Sequence, residues 1–140
     1  MKKLLFLFIM ILVIAAGCSN TVNYSVKYLD VSSADVNVKM WLENSDKANG
    51  IYLGKIDGSN EEYIYYLYVN NNTNPIDKNS IDSVSINSSG KKSLLINTTL
   101  KTSDLINDDK LFCITVKDKT LEKIVLNGED ISISSIPIIE

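Results

Sequence analysis

The chain has 140 residues, with 14 lysines, 17 acidic residues, no arginine and no histidine, for a formal charge of −3. The missing imidazole excludes Ser-His and Cys-His pairs and histidine metal ligands, and the missing guanidinium excludes a bidentate clamp for phosphate or carboxylate. The acidic balance argues against sequence-independent binding to nucleic acid, which depends on neutralising phosphates.

Met1-Lys2-Lys3 is followed by Leu4 to Ala16, LLFLFIMILVIAA, an apolar run without a charge. As a helix it reaches about 20 Å, at about 1.5 Å per residue, short of a hydrocarbon core of about 30 Å. A basic start, a short apolar middle and small residues at the end form an export signal rather than a spanning helix. The next residues, Ala15-Ala16-Gly17-Cys18, resemble the lipobox of bacterial lipoproteins, with Ala15 where that family more often has leucine. The resemblance covers this segment alone. It implies cleavage after Gly17, a thioether-linked diacylglycerol on Cys18 with fatty acid such as palmitate, and attachment to the extracytoplasmic face of the cell membrane. Two acyl chains hold a protein on a bilayer where one barely does, each buried methylene contributing about 0.8 kcal/mol.

Removing residues 1–17 takes two lysines from a formal charge of −3, leaving −5, so lipid rather than charge would supply the attachment. Residues 18–21 form the tether. At about 3.5 Å per residue it keeps the domain within roughly 10–15 Å of the bilayer. Residues 22–140 suffice for one domain with a real core and not for two.

From there the dominant signal is a period of two. Val22, Tyr24, Val26 and Tyr28 alternate with polar residues, and Val36, Val38, Met40 and Leu42 do the same, so each set predicts a half-buried strand. Further strands are predicted over Ile51–Ile56, Tyr63–Val69, Ile81–Ile86, Ser93–Thr98, Leu111–Lys117, Leu121–Leu126 and Ile131–Ile136. Turn residues separate them: Asn44-Ser45-Asp46, Asp57–Asn60, Asn70–Asn74, Ser88-Ser89-Gly90, Asp118-Lys119 and Asn127-Gly128. Asn127-Gly128 suits a type I′ hairpin. A strict two-residue loop would set Leu126 opposite Glu129, so a bulged three-residue loop is the better expectation. Thr102–Ile106 offers one helical turn at most. Pro137 places the last apolar stretch on an edge strand or in a tail beside one. About nine short strands without crossover helices predict an all-β fold, an antiparallel β-sandwich of immunoglobulin-like or similar form, with the signal segment outside it.

Candidate chemistry is sparse. Cys113, in the apolar run Leu111–Val116, is the only thiol besides Cys18 and is expected to pack as a small hydrophobe. Ser89-x-x-Lys92 has the spacing of the serine penicillin-interacting enzymes. That family needs its serine at a buried helix start and two further motifs, whereas here the segment reads as a solvated hairpin tip. Asp57-Gly58-Ser59-Asn60-Glu61-Glu62 lacks the EF-hand offset from aspartate to glycine and its closing glutamate, and reads as a turn. Asp108-Asp109 reads as a solvated loop. No metal or cofactor is expected. Asn74-Pro75 in a polar loop resembles the chagasin-type protease inhibitors, but their further Thr-Thr-Gly and Arg-x-x-Trp are absent.

Tyrosine is the one compositional feature with functional flavour. All seven lie after residue 21, against one Phe and one Trp there. Tyr63-Ile64-Tyr65-Tyr66-Leu67-Tyr68-Val69 is apolar or aromatic on both strand faces; one face should enter the core, and a loop or partner should cover the other unless it remains an aromatic patch. Tyrosine joins a rigid apolar body to a polar tip, which suits recognition. The plainer reading of this run is a central strand with Tyr at its rims. Beside it, these features predict a non-catalytic binding or adaptor module at the cell envelope, meeting a protein or glycan through some of Trp41, Tyr52, Tyr66 and Tyr68. A small exported inhibitor of a protease or other hydrolase is the alternative.

Overall fold

A computed structural model describes residues 21–44, 50–56, 62–70, 79–90, 92–102, 109–117 and 121–140. The signal segment, Cys18, and the predicted turns at 57–60 and 118–119 lie outside the described residues, as does most of Asn70–Asn74. Eight strands are described: β1 (Tyr24–Leu29), β2 (Gly50–Ile56), β3 (Tyr63–Asn70), β4 (Asn79–Ser88), β5 (Ser93–Thr102), β6 (Lys110–Val116), β7 (Lys123–Leu126) and β8 (Glu129–Ser132). They form two four-stranded sheets, ordered β1-β6-β3-β2 and β4-β5-β7-β8. The all-β sandwich read from the alternation is the fold of the chain. Among the described strands, β5 and β7 depart from antiparallel pairing and run parallel. The chain leaves β5 for β6 in the other sheet before returning as β7, so both strands travel the same way.

Alternation assigns the faces. Tyr65 and Leu67 of β3, Ile114 and Val116 of β6, Leu94 and Ile96 of β5 and Ile124 of β7 form the core between the sheets. Val22, buried just before β1, and Leu121 and Ile136 complete it. In β4, Ile81 is out of phase with Val84 and Ile86, yet it is buried. A bulge between Ile81 and Ser83 inserts the extra residue that restores the phase. Lys110 Nζ, reaching across from β6, donates to the carbonyls of Ile81 at 3.3 Å and Asp82 at 3.2 Å. Two further bonds lace the layers: Tyr24 Oη donates to the Ile86 carbonyl at 2.8 Å, and Lys55 Nζ to the Ile133 carbonyl at 3.1 Å.

The strand predicted over Val36–Leu42 is instead a helix, α1 (Val36–Glu43). Asp35 caps it, its carboxylate accepting from the Asn37 N–H at 3.0 Å. The same residues carry a second period: Ala34, Val38, Trp41 and Leu42 stand at helical spacing and pack in one cluster. Val36 and Met40, which alternation would bury, are exposed. The predicted strand Ile131–Ile136 also ends early, at Ser132, and continues as a 3-10 turn over Ile133–Ser135. There Ser135 Oγ donates to the Ser132 carbonyl at 2.8 Å, a local bond that competes with the ladder.

The hairpin at Asn127-Gly128 is a strict two-residue turn, with φ of 51° and 89°, and Leu126 does pair with Glu129. The bulged alternative is unnecessary because Glu129 lies at the end of an edge strand and stays in solvent. The Ser89–Lys92 segment links β4 and β5 at a tip where Ser89 N donates to the Ser93 carbonyl at 2.8 Å. Its Lys92 is ion-paired with Glu122.

Candidate functional site

The four aromatic residues singled out as a binding surface do converge, on the outer face of the first sheet. β3 is an interior strand, so its alternation presents Tyr65 and Leu67 to the sandwich core and Ile64, Tyr66 and Tyr68 to the opposite side. That side is covered by α1 and by the C-terminal tail. Tyr66 and Tyr68 are each only 8% exposed, packed with Val38, Leu111 and Ile139. Trp41 and Tyr52 are half-buried at the margin of the same cluster. Of these four residues, then, Trp41 and Tyr52 keep accessible surface, with Tyr66 and Tyr68 beneath them. On the solvent side of α1, Val36 and Met40 lie exposed four residues apart.

The phenols are held by specific partners. Tyr68 Oη donates to Asp109 Oδ2 at 2.7 Å, and its ring lies 6.3 Å from that of Tyr52 at 34°. Burial, then the bond to Asp109, raises the Tyr68 pKa well above its ordinary value. Burial also pushes Tyr66 up to about 12, with a further contribution from the adjoining Cys113 thiol. Both phenols thus stay neutral, serving as hydrogen-bonding core groups. Asp109, expected in a solvated loop, is half-buried, and its Oδ1 is buried without a donor among the described residues. It was misread because an aspartate pair followed by lysine looks like solvated loop, and the partner lies 41 residues away on β3. Asp108 lies outside the described residues.

Cys113 sits half-buried on this face beside Tyr66, a free thiol within the apolar cluster. Gly54, at the middle of β2, was missed by sequence reasoning, and it determines how closely the layers meet. A Cβ there would stand 2.7 Å from Ile139 Cδ1 and 3.0 Å from Trp41 Cζ2. A glycine inside a strand marks a close approach, and that signal was present in Ile51–Ile56. The tail reaches this position because Lys55 N donates to the Pro137 carbonyl at 2.9 Å and Ile139 N to the Lys55 carbonyl at 2.8 Å. Pro137 thus lies in a tail beside an edge strand, as expected from its type.

Of the acidic run at 57–62, only Glu62 is described; it stands 3.8 Å from Lys117 Nζ across an exposed pair. Among the described residues no group of three or more Asp, Glu or Cys side chains could hold a metal ion. The Asn74-Pro75 loop lies outside them. No family model matches the chain, and no curated protein or solved structure shows significant similarity to it.

Proposed function

We propose that this protein is a lipid-anchored extracytoplasmic lipoprotein whose β-sandwich acts as a non-catalytic binding or adaptor module at the cell envelope. The observation that carries the reading is the continuity between the lipobox-like Ala15-Ala16-Gly17-Cys18 and the domain. Only Ser19 to Thr21 separate Cys18 from Val22, which is 3% exposed within the core. Lipid on Cys18 would then hold the folded unit directly against the bilayer, with no span needed. The end where β1 begins, carrying the β4–β5 tip, would face the membrane.

The binding part of the reading rests on the face covered by α1. Trp41 and Tyr52, half-exposed, adjoin a helix whose Val36 and Met40 are presented to solvent, an aromatic and apolar combination that suits a protein or glycan partner. Supply of labelled palmitate to cells producing the protein is expected to label the mature chain. The variant Cys18→Ser should lose both the label and the membrane fraction, and retention of both would overturn the anchor. Residues 19–140, used as bait in envelope extracts, should capture a partner that Met40→Glu weakens. Turnover of a cell-wall polymer without capture would overturn the adaptor reading.

A further inference from the structure

The β7–β8 turn carries an exposed Asn-Gly step whose amide is held by the neighbouring strand. Asn127 N donates to the Ile96 carbonyl at 2.9 Å, the last main-chain rung between β7 and β5. Both turn residues then take positive φ, and the main chain leaves β5. The next donor on β5, Thr98 N, is met by Asn127 Oδ1 at 2.8 Å. Asn127 Nδ2 donates in turn to Thr98 Oγ1 at 3.0 Å. The side-chain amide therefore stands in for a peptide group and extends the parallel ladder by one rung. Both ends of that amide rest on a single residue.

Asparagine before glycine is the arrangement in which a side-chain amide is most open to its own backbone. The following residue has no side chain to obstruct its nitrogen, and around Gly128 a Cβ would meet nothing within 4 Å. We propose that Asn127 is a site of spontaneous deamidation, latent in the folded domain because Thr98 holds its amide away from the Gly128 nitrogen. In the step, the Gly128 nitrogen loses its proton to solvent and forms a bond to Asn127 Cγ. The Cγ–Nδ2 bond breaks, and Nδ2 gains a proton and leaves as ammonia. Water then opens the cyclic imide at either carbonyl, giving aspartate or isoaspartate, a net exchange of one water for one ammonia.

Reaching that geometry requires the side chain to rotate off Thr98 and give up its bonds there. Modification has a structural consequence. Isoaspartate adds a methylene to a two-residue turn that sets the β7–β8 register, and either product places a new negative charge beside Glu129 and Asp130.

The test is peptide-resolved mass spectrometry of the purified protein during incubation at mildly alkaline pH, following conversion and isoaspartate at residue 127. Native protein should convert at least about fivefold more slowly than protein in denaturant, the factor that one ordinary hydrogen bond supplies. Thr98→Val keeps the β-branched shape and removes the hydroxyl. It should speed conversion toward the denatured rate while circular dichroism still reports a folded domain, and Thr98→Ser should remain at the native rate. Equal rates in native and denatured protein would overturn the proposal, and that comparison needs no variant. A folded Thr98→Val no faster than native would overturn the part assigned to the Thr98 hydroxyl, since the variant keeps the main-chain bond to Asn127 Oδ1.

Discussion

Tyr66 and Tyr68 combine an apolar ring with a polar tip, a property that suits recognition and equally suits the buried face they occupy. Each is buried under α1, and each phenol meets a neighbour, Cys113 for Tyr66 and Asp109 for Tyr68. Their raised pKa values have a consequence for stability. A phenol that holds its proton more tightly in the folded state than in the unfolded one loses its contribution to folding where the unfolded phenol ionises. That contribution is complete below the ordinary value of 10.0 and falls as pH rises through the folded value, about 12 for Tyr66. The urea midpoint should therefore decline above about pH 10. The double variant Tyr66→Phe, Tyr68→Phe should show a flatter alkaline decline, read beside tyrosinate absorbance. An unchanged slope would place the alkaline sensitivity elsewhere.

At the scale of the element, most of the strands were legible because one residue in two had to face a core. Where two periods coexist, alternation alone misleads. Val36-Asn37-Val38-Lys39-Met40-Trp41-Leu42 satisfies a strand by its apolar positions, but the helical set Ala34, Val38, Trp41 and Leu42 is the one that buries. The signal that separates the readings is Asp35, immediately before the run, with its carboxylate on the Asn37 N–H. Capping of this kind is the usual helix-start mark. Asp35→Ala should then cost about 1 kcal/mol of stability, measured as a lowered denaturation midpoint, with Asp35→Ser retaining most of it. If Asp35→Ala left the midpoint unchanged, packing on Val38 and Trp41 alone would hold α1. The bulge at Asp82 and the turn at Asn127-Gly128 show the opposite limit. There the local residues permit several geometries, and contacts from other strands, Lys110 in one case and Thr98 in the other, accompany the one adopted.

Across the whole molecule, the sandwich has sheet edges to manage, and the chain treats the two edges of its first sheet differently. β1 lies at one edge, and its own Val26 and Tyr28 are exposed. β2 lies at the other, and the C-terminal tail bonds alongside it through the amide and carbonyl of Lys55. Ile139, 5% exposed, then fills the space over Gly54 and beside Trp41. The tail thus joins β2, α1 and the second layer, since Ile136 just before it belongs to the core between the sheets. None of this was readable from Ile136-Pro137-Ile138-Ile139 beyond its place near an edge, because what it covers is contributed by residues some eighty positions earlier. Deleting residues 137–140 removes two main-chain hydrogen bonds, at about 0.5–1.5 kcal/mol each, and the burial of one isoleucine, about 1.5–3 kcal/mol. A loss of about 2.5–6 kcal/mol is a large share of the 5–15 kcal/mol typical of a domain, so the truncated chain should denature at markedly lower urea. It should also associate in a concentration-dependent way, since an uncovered edge pairs with other chains. The intact chain already exposes β1, so self-association gained on truncation reports on β2. A truncated protein that melts like the intact one and stays monomeric in sedimentation would show that the tail merely rests on the edge.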